Sequence, residues 1–558
     1  MKIQKKFRVL LINPPPENLF KEEDVSKQSQ ISITPPLGLA YIAAYLLKNK
    51  SYDVSILDAH TEGVYEMKIN DAKNNYGIFY DIIREKIEEY KPDLVGVSCL
   101  IVSNRKQAHK VCEIIKSVNK SIITVMGGGY PTTLPEKAMS DHNVNYVILG
   151  EGEHSFFELV ESIKSNKSVD YIDGISYRLN DSIKINPKTK YIEDLDSLPF
   201  PDRSLLPMEK YFEVSMPIGA NLTSRFTSFL TSRGCPANCI FCSSYNIWGK
   251  KFRARSAKNI LDEIDLLIRK YDIGEIQFID DNLTFNIKRA EEIFDGIIER
   301  KFNLILSAPN GIALYRLSPK LISKMKKCGF NRVCLGIESG DQYVLDHIIK
   351  KPLNLEKIKP LIKIMKEEGL YLFGFFMFGF PGETKEQMYN TIKFAMDSGL
   401  DWCGNSIANP LPGTQMYKIC EEKNYFKGGG KDLIFDEINY SKGNIKTEDF
   451  TQEDVEEISY DANLRINFLN NPNLKRNIDL ALMDFSRVAE RYHGHAIARY
   501  SLGKAYYLKK EYAKAQAEWK KVLKLHQTSD DAKKCLDKYH INIKSDLQKV
   551  SKKCLVKE

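Results

Sequence analysis

The chain has 558 residues, of which 43% are hydrophobic and 28% charged. That is the balance of a soluble folded protein, and the length exceeds one ordinary core, so two to four domains are expected. The net charge of +8 is carried by residues 501–558, with 15 Lys and Arg against 7 Asp and Glu, so the first 500 residues are neutral overall. Eleven cysteines in so long a chain argue against a secreted disulfide scaffold, no arginine-rich arm or aromatic RNA-binding signature points to nucleic acid, and the longest apolar run, Leu370–Phe380, is too short to span a bilayer as a helix.

The N-terminal "MKIQKKFRVLLINPPP" reads as a first buried strand ending in a proline loop rather than a signal peptide. A cytoplasmic protein is expected, with a peripheral membrane contact left open. Helical spacing follows in "PLGLAYIAAYLLKNK", then a strand in "YDVSILDAH", a helix in "YDIIREKIEEY" and a strand in "DLVGVSCLI". The helix "RKQAHKVCEIIKSVN" and the strands "SIITVMGGG" and "VNYVILGEGE" complete the series. Continuous Val, Ile and Leu runs alternating with helices predict a parallel sheet covered on both faces. Ligands in such sheets sit at the carboxyl ends of the strands. Those ends are "NPPP", "DAHTEG", "SCLIVSN" and "GGGYPT".

Between Tyr171 and Met216 the alternation weakens to a short hairpin and the proline-punctuated linker "LDSLPFPDRSLLP". A second alternating series starts near Phe226 and runs through six βα-type units to "DWCGNSIANPLPGT", with polar and glycine residues gathered after each strand. That pattern predicts a βα barrel or an open part of one. From about Gln452 the chain reads as helix. Leu502, Gly503, Tyr506, Ala515 and Trp519 follow tetratricopeptide spacing, and Ala481 and Phe485 stand 34 residues before Ala515 and Trp519. Two units are few for a solenoid and Gln527 stands where a late proline is usual, so plain amphipathic hairpins remain an alternative. The basic tail is a solvated face or a contact with an acidic partner.

Cys99, Cys334 and Cys403 lie in or beside apolar runs, where cysteine acts as a small hydrophobe. Cys235, Cys239 and Cys242 differ: they form C-x3-C-x2-C on the loop after the first strand of the second series. A structural zinc takes four protein ligands. No His stands near the trio, and Cys328 follows a further strand and helix. Three thiolates can instead hold three irons of a [4Fe–4S] cluster and leave the fourth open.

The spacing at this place resembles the radical S-adenosylmethionine (SAM) superfamily. "FIDDN" (Phe278–Asn282), "LGIESG" (Leu335–Gly340), "GFPGET" (Gly379–Thr384) and "PLPGT" (Pro410–Thr414) resemble later motifs of that barrel, and the resemblance covers about Phe226 to Tyr417. It implies a reduced cluster at the three cysteines that cleaves SAM to a 5′-deoxyadenosyl radical, which takes hydrogen from a substrate. It implies Phe241 beside the adenine and Asp280, Asp281 and Glu338 as SAM contacts. The structural alternatives are that Asp280 caps its strand and that Glu338 pairs with a basic residue.

The preceding sheet, with "PPLGLAYIAAYLL", "MGGGYPT" and "ILGEGE", resembles the B12-binding module of cobalamin-dependent radical SAM proteins. The resemblance implies cobalamin contacts at Ser98, Leu100, Gly127, Gly128 and Gly129; glycines at a strand end let a ligand approach the backbone. "DAHTEG" (Asp58–Gly63) satisfies D-x-H-x-x-G, but it follows the second strand, and only 34 residues separate Gly63 from Ser98. His60 is therefore read as an ordinary loop His, and a cobalamin without a protein His on cobalt is expected to meet the loop around Asn13–Pro16.

The expected architecture is α/β: a doubly wound, Rossmann- or flavodoxin-like cobalamin-binding domain (residues 1–165), a linker with a hairpin (166–220), a partial (β/α)6 radical SAM barrel (221–430) and a helical, TPR-like region (431–558). The expected function is a cobalamin-dependent radical SAM enzyme that transfers a methyl group from methylcobalamin. The alternatives are radical-driven cyclisation or rearrangement, as in the anaerobic magnesium-protoporphyrin ester cyclase group, and a zinc-clipped scaffold that is no enzyme. A [4Fe–4S] cluster, SAM and cobalamin are the implied cofactors. A one-electron reductant such as flavodoxin or ferredoxin, a small or carrier-bound substrate and a protein partner for the C-terminal helices are the implied partners.

Overall fold

The computed structural model describes residues 6–17, 33–48, 52–70, 77–214, 223, 225–427, 435 and 441–555. It falls into two compact units, Met1–Cys334 with Asn409–Ile438, and Leu335–Ala408 with Asn439–Glu558.

In the first unit, β1 (Phe7–Asn13), β2 (Tyr52–Asp58), β3 (Leu94–Ser98), β4 (Ile123–Gly127) and β5 (Tyr146–Ile148) pair in parallel in the order β2-β1-β3-β4-β5. Val9–Ile12 and Leu94–Val97 are buried in unbroken runs, because helices cover both faces and neither face can be polar. The chain leaves β1 toward β2 and returns on its other side as β3, so the strand order reverses beside Asn13 and Ser98. That switch point is where open α/β sheets leave a crevice. The hairpin β6 (Ile175–Leu179) and β7 (Ser182–Asn186), expected in a linker, adds two antiparallel strands to the β5 edge. Its inner residues Ile175 and Ser176 are fully buried, which sequence alternation alone left open.

The second series supplies β8 (Phe226–Phe229), the two-residue strands β9 (Ser232–Arg233) and β10 (Arg253–Ala254), then β11 (Glu275–Phe278), β12 (Ile305–Ala308), β13 (Phe330–Glu338), β14 (Tyr371–Phe378) and β15 (Trp402–Ile407). Six of these form one sheet in the order β15-β14-β13-β12-β11-β8, as the six βα units predict. Polar caps fix where each helix starts after its strand: Ser256, Asn286, Ser318, Asn354 and Thr384 each accept a backbone N–H of the first turn.

In the second unit the terminal strand β15 is covered rather than bare. The Asn467 side chain accepts from the Cys403 N–H and donates to its carbonyl, both at 2.8 Å, as a neighbouring strand would. Beyond it, helices Ala496–Leu508 and Tyr512–Thr528 pack as a hairpin in which the Trp519 indole donates to the Tyr500 carbonyl at 3.1 Å and lies where Gly503 has no side chain. Ala481, Phe485 and Ala515 are fully buried, as the tetratricopeptide spacing required. No helix among the described residues is long and apolar enough to cross a membrane.

Candidate active site: a cysteine loop beside a glycine corner

Cys235, Cys239 and Cys242 are free thiols, half-buried on the loop between β9 and the short helix Ser244–Trp248. Gly234 before them sits at φ +81°, and a Cβ there would lie 2.3 Å from the Lys251 carbonyl, so the loop needs glycine at that turn. The Cys242 N–H bonds the Cys239 carbonyl at 3.2 Å, and the Met416 N–H bonds that of Ile240 at 2.9 Å. Phe241 is half-buried between them. Burial pushes the Cys242 thiol up to about 12; a metal must displace that proton to bind. Among the described residues no group of three or more His, Cys, Asp or Glu is gathered as the ligands of a single metal ion.

The end of β11 faces this loop. Asp280 is 1% exposed and accepts from the Thr231 N–H at 3.2 Å, the Thr231 hydroxyl at 2.6 Å and the Ser232 hydroxyl at 2.5 Å. It ties β9 to the strand end, the job named above as its structural alternative, and burial holds its carboxyl above the ordinary range despite Arg289 nearby. Asp281 is exposed and accepts from the Ser244 hydroxyl, two residues past Cys242, at 2.5 Å. Asn282 was not singled out by the sequence. Its amide lies 3.7 Å from the Cys235 sulfur and 3.3 Å from the Tyr315 hydroxyl, while its Oδ1 is buried without a partner. A buried acceptor left open this way fits a cationic or N–H group of a ligand. Only its place after "DD" could have flagged it.

The five residues expected to meet cobalamin do converge. Ser98 pairs with Gly127 in register. The Cys99 N–H bonds the Gly127 carbonyl at 2.7 Å and the Tyr130 N–H bonds that of Cys99 at 3.1 Å, lacing "SCL" to the glycine run. Gly128 has φ +108°; Cβ atoms on Gly128 and Gly129 would stand 2.5 and 2.3 Å from the carbonyls of Cys99 and Leu100. Leu100 and Ile101 are 67% and 56% exposed at this strand end. The glycines pack this corner tightly on itself, and the exposed apolar side chains of Leu100 and Ile101 beside it fit a large, partly apolar ligand. The corner also meets the helix that follows the cysteine loop: the Gly129 Cβ position is 3.3 Å from Ile247 on the helix Ser244–Trp248.

His60 lies in the first turn of the helix Ala59–Ile69 and is buried, not in a loop as expected. Asp58 explains the difference: it caps that helix directly after β2 and accepts from the hydroxyls of Thr61 and Tyr211 and from Asn13. Burial lowers the imidazole's basicity. In the second unit, Glu338 ends β13 at φ +67°, a left-handed conformation that costs a non-glycine residue energy, and it accepts from Lys351 at 3.1 Å, the pairing named as its alternative.

The Radical SAM superfamily model matches residues 229–395 and the B12 binding domain model residues 31–160. Cytidylyl-2-hydroxyethylphosphonate methyltransferase of Streptomyces wedmorensis is 33% identical over 444 residues, 74% of this chain and 81% of the relative. An anaerobic magnesium-protoporphyrin IX monomethyl ester cyclase of Rubrivivax gelatinosus is 29% identical over 394 residues, 70% and 67% of the two chains. Among solved structures, the cobalamin-dependent SAM radical enzyme OxsB with aqua-cobalamin and SAM bound superposes at TM-score 0.65 and 16% identity, over 98% of this chain and 84% of that one. The radical SAM methyltransferase TsrM from Kitasatospora setae gives 0.59 and 18%, over 75% of each. Two matched domain models and a one-third-identical relative over four-fifths of its length lead to one conclusion: this chain belongs to the radical SAM enzymes that carry a B12-binding domain, a family whose cofactors are a [4Fe–4S] cluster, SAM and cobalamin.

Proposed function

We propose that this chain is a cobalamin-dependent methyltransferase acting on a small or carrier-bound substrate. The observation that carries the reading is the approach, within one compact unit, of the glycine corner to the helix that follows the three-cysteine loop, at Gly129 and Ile247. Methyl transfer needs the two cofactor sites to serve one substrate, and the relative with 33% identity is a methyltransferase. When bound, the cluster with SAM supplies a hydrogen-abstracting radical and cobalamin supplies the methyl group.

The chain's own residues bind and orient. Cys235, Cys239 and Cys242 hold the cluster, and Phe241 flanks the adenine. Asp281 and the open Oδ1 of Asn282 accept from the SAM ammonium or ribose. Asp280 keeps the strand end in place rather than meeting solvent. Ser98, Leu100 and Gly127–Gly129 seat the cobalamin. Electrons come from a flavodoxin- or ferredoxin-type donor. All eleven cysteines are free thiols, which suits the reducing cytoplasm.

The test is anaerobic reconstitution with iron, sulfide and hydroxocobalamin, followed by reductant and SAM bearing a deuterated methyl group. Methyl transfer predicts labelled methylcobalamin and S-adenosylhomocysteine alongside 5′-deoxyadenosine. The similarity to the ester cyclase favours a second reading, radical cyclisation without methyl transfer; it predicts 5′-deoxyadenosine alone. A colourless protein holding one zinc and leaving SAM intact overturns both.

A further inference from the structure

Both ends of the cysteine loop are fastened to the first sheet by buried ion pairs. Arg233 stands two residues before Cys235, Arg253 closes the loop at its far end, and the two are partners across the β9–β10 ribbon. Their side chains are 3% and 2% exposed. Arg233 reaches Glu153 at 2.5 Å and Glu151 at 3.3 Å, and Arg253 reaches Glu151 at 2.6 Å. Arg253 also donates to the carbonyls of Ile192 and Trp248, and the second Glu151 oxygen accepts from the Ile192 N–H at 2.9 Å. The rings of Tyr41 and Trp248 flank the Arg233 guanidinium at 5.4 and 4.8 Å. Burial alone would raise the Glu153 carboxyl; Arg233 outweighs it and holds the group below its ordinary range.

The two glutamates belong to "GEGE", which leaves the carboxyl end of β5, the strand that pairs with β4 at Gly127. The clamp therefore joins the loop with the three cysteines to the end of the sheet with the glycine corner. Buried ion pairs are poor sources of stability, because desolvation offsets the attraction and apolar residues of like size often do as well. A rigid guanidinium that bridges two carboxylates, with Glu151 shared between both arginines, does fix distance and angle.

We propose that Arg233, Arg253, Glu151 and Glu153 are positioning residues that set the separation between the cluster and the cobalamin. The proposal rests on the reading of the two sites given above.

Reduced [4Fe–4S] clusters and cob(II)alamin are both paramagnetic, so the cluster speeds the relaxation of the cobalamin signal by an amount that depends steeply on their separation. The experiment compares this enhancement by pulsed EPR in reconstituted full-length wild type, Glu153→Gln and Arg253→Lys. The expected result is normal iron and cobalamin content in the variants with loss of most of the enhancement and a broader distribution of separations. Unchanged relaxation in either fully loaded variant overturns the proposal. Failure of both variants to fold overturns it too, in favour of a plain structural role; if only Glu153→Gln fails, Arg253→Lys decides. Wild type that takes up iron but no cobalamin, or neither, fails at the earlier step and removes the reading of the sites together with the clamp.

Discussion

The cysteine loop and the glycine corner differ in what braces them most. The loop is held by side chains: Asp280 on Thr231 and Ser232, Asp281 on Ser244, and arginines on glutamates. The corner is held by backbone: glycines brought so close to the carbonyls of Cys99 and Leu100 that no side chain fits between. The contrast is the one the proposed occupants would require: a small charged cluster would need three ligands aimed from a braced loop, whereas a large flat ligand would need an apolar rim and a strand end free of bulky side chains.

The contrast is sharpened by breaking each side in turn. Cys239→Ser has the largest expected effect: iron and sulfide bound after reconstitution fall below the full cluster complement and 5′-deoxyadenosine release is lost, while cobalamin binding at the corner persists. Retained iron and retained SAM cleavage would refute the site. Gly128→Ala should cost about 3 kcal/mol in chemical unfolding, from the left-handed φ and the clash together, and should abolish cobalamin retention on gel filtration while the iron content stays normal. Asp280→Asn should cost about 2 kcal/mol, because donors on Thr231 and Ser232 lose a buried acceptor, with cobalamin binding unchanged.

Leu100→Ser is milder. Its side chain is exposed, so stability should shift by less than about 0.5 kcal/mol, while cobalamin affinity drops about tenfold, the effect of roughly 1.4 kcal/mol of lost apolar contact. Equal affinity would exclude Leu100 from the site. One further test lies away from both regions. Glu383 is fully buried, and burial pushes its carboxyl up to about 8 although the N–H groups of Gly379 and Phe380 bond it. A carboxyl raised in the folded state contributes stability that is complete below the unfolded pKa and is lost as pH rises through 8. Glu383→Gln should therefore flatten the fall in melting temperature between pH 5 and pH 9; an identical slope would contradict the shift.

Much of this was legible because it rests on local pattern. The six βα units, the polar caps after each strand and the aromatic that fills Gly503's gap are written in spacing of a few residues. The cysteine trio needs no partner from afar, and Ser98 with the glycine run could be aligned because parallel neighbours share register. What stayed hidden depends on long-range pairing. Asn282 acquires meaning only when β11 lies beside the loop. The hairpin at Ile175 declared its sheet only through β5. His60 was misplaced because Asp58, read as part of a loop string, is a helix cap. "GEGE" was noticed as a string, but its arginine partners stand 80 and 102 residues away.

The Asn467 side chain on the backbone of Cys403 has a consequence for anyone dissecting the molecule. A fragment ending before residue 450 would expose the hydrogen-bonding ladder of β15, and bare ladders recruit strands from other molecules. Such an excised barrel should polymerise, whereas the intact chain carries its own stopper.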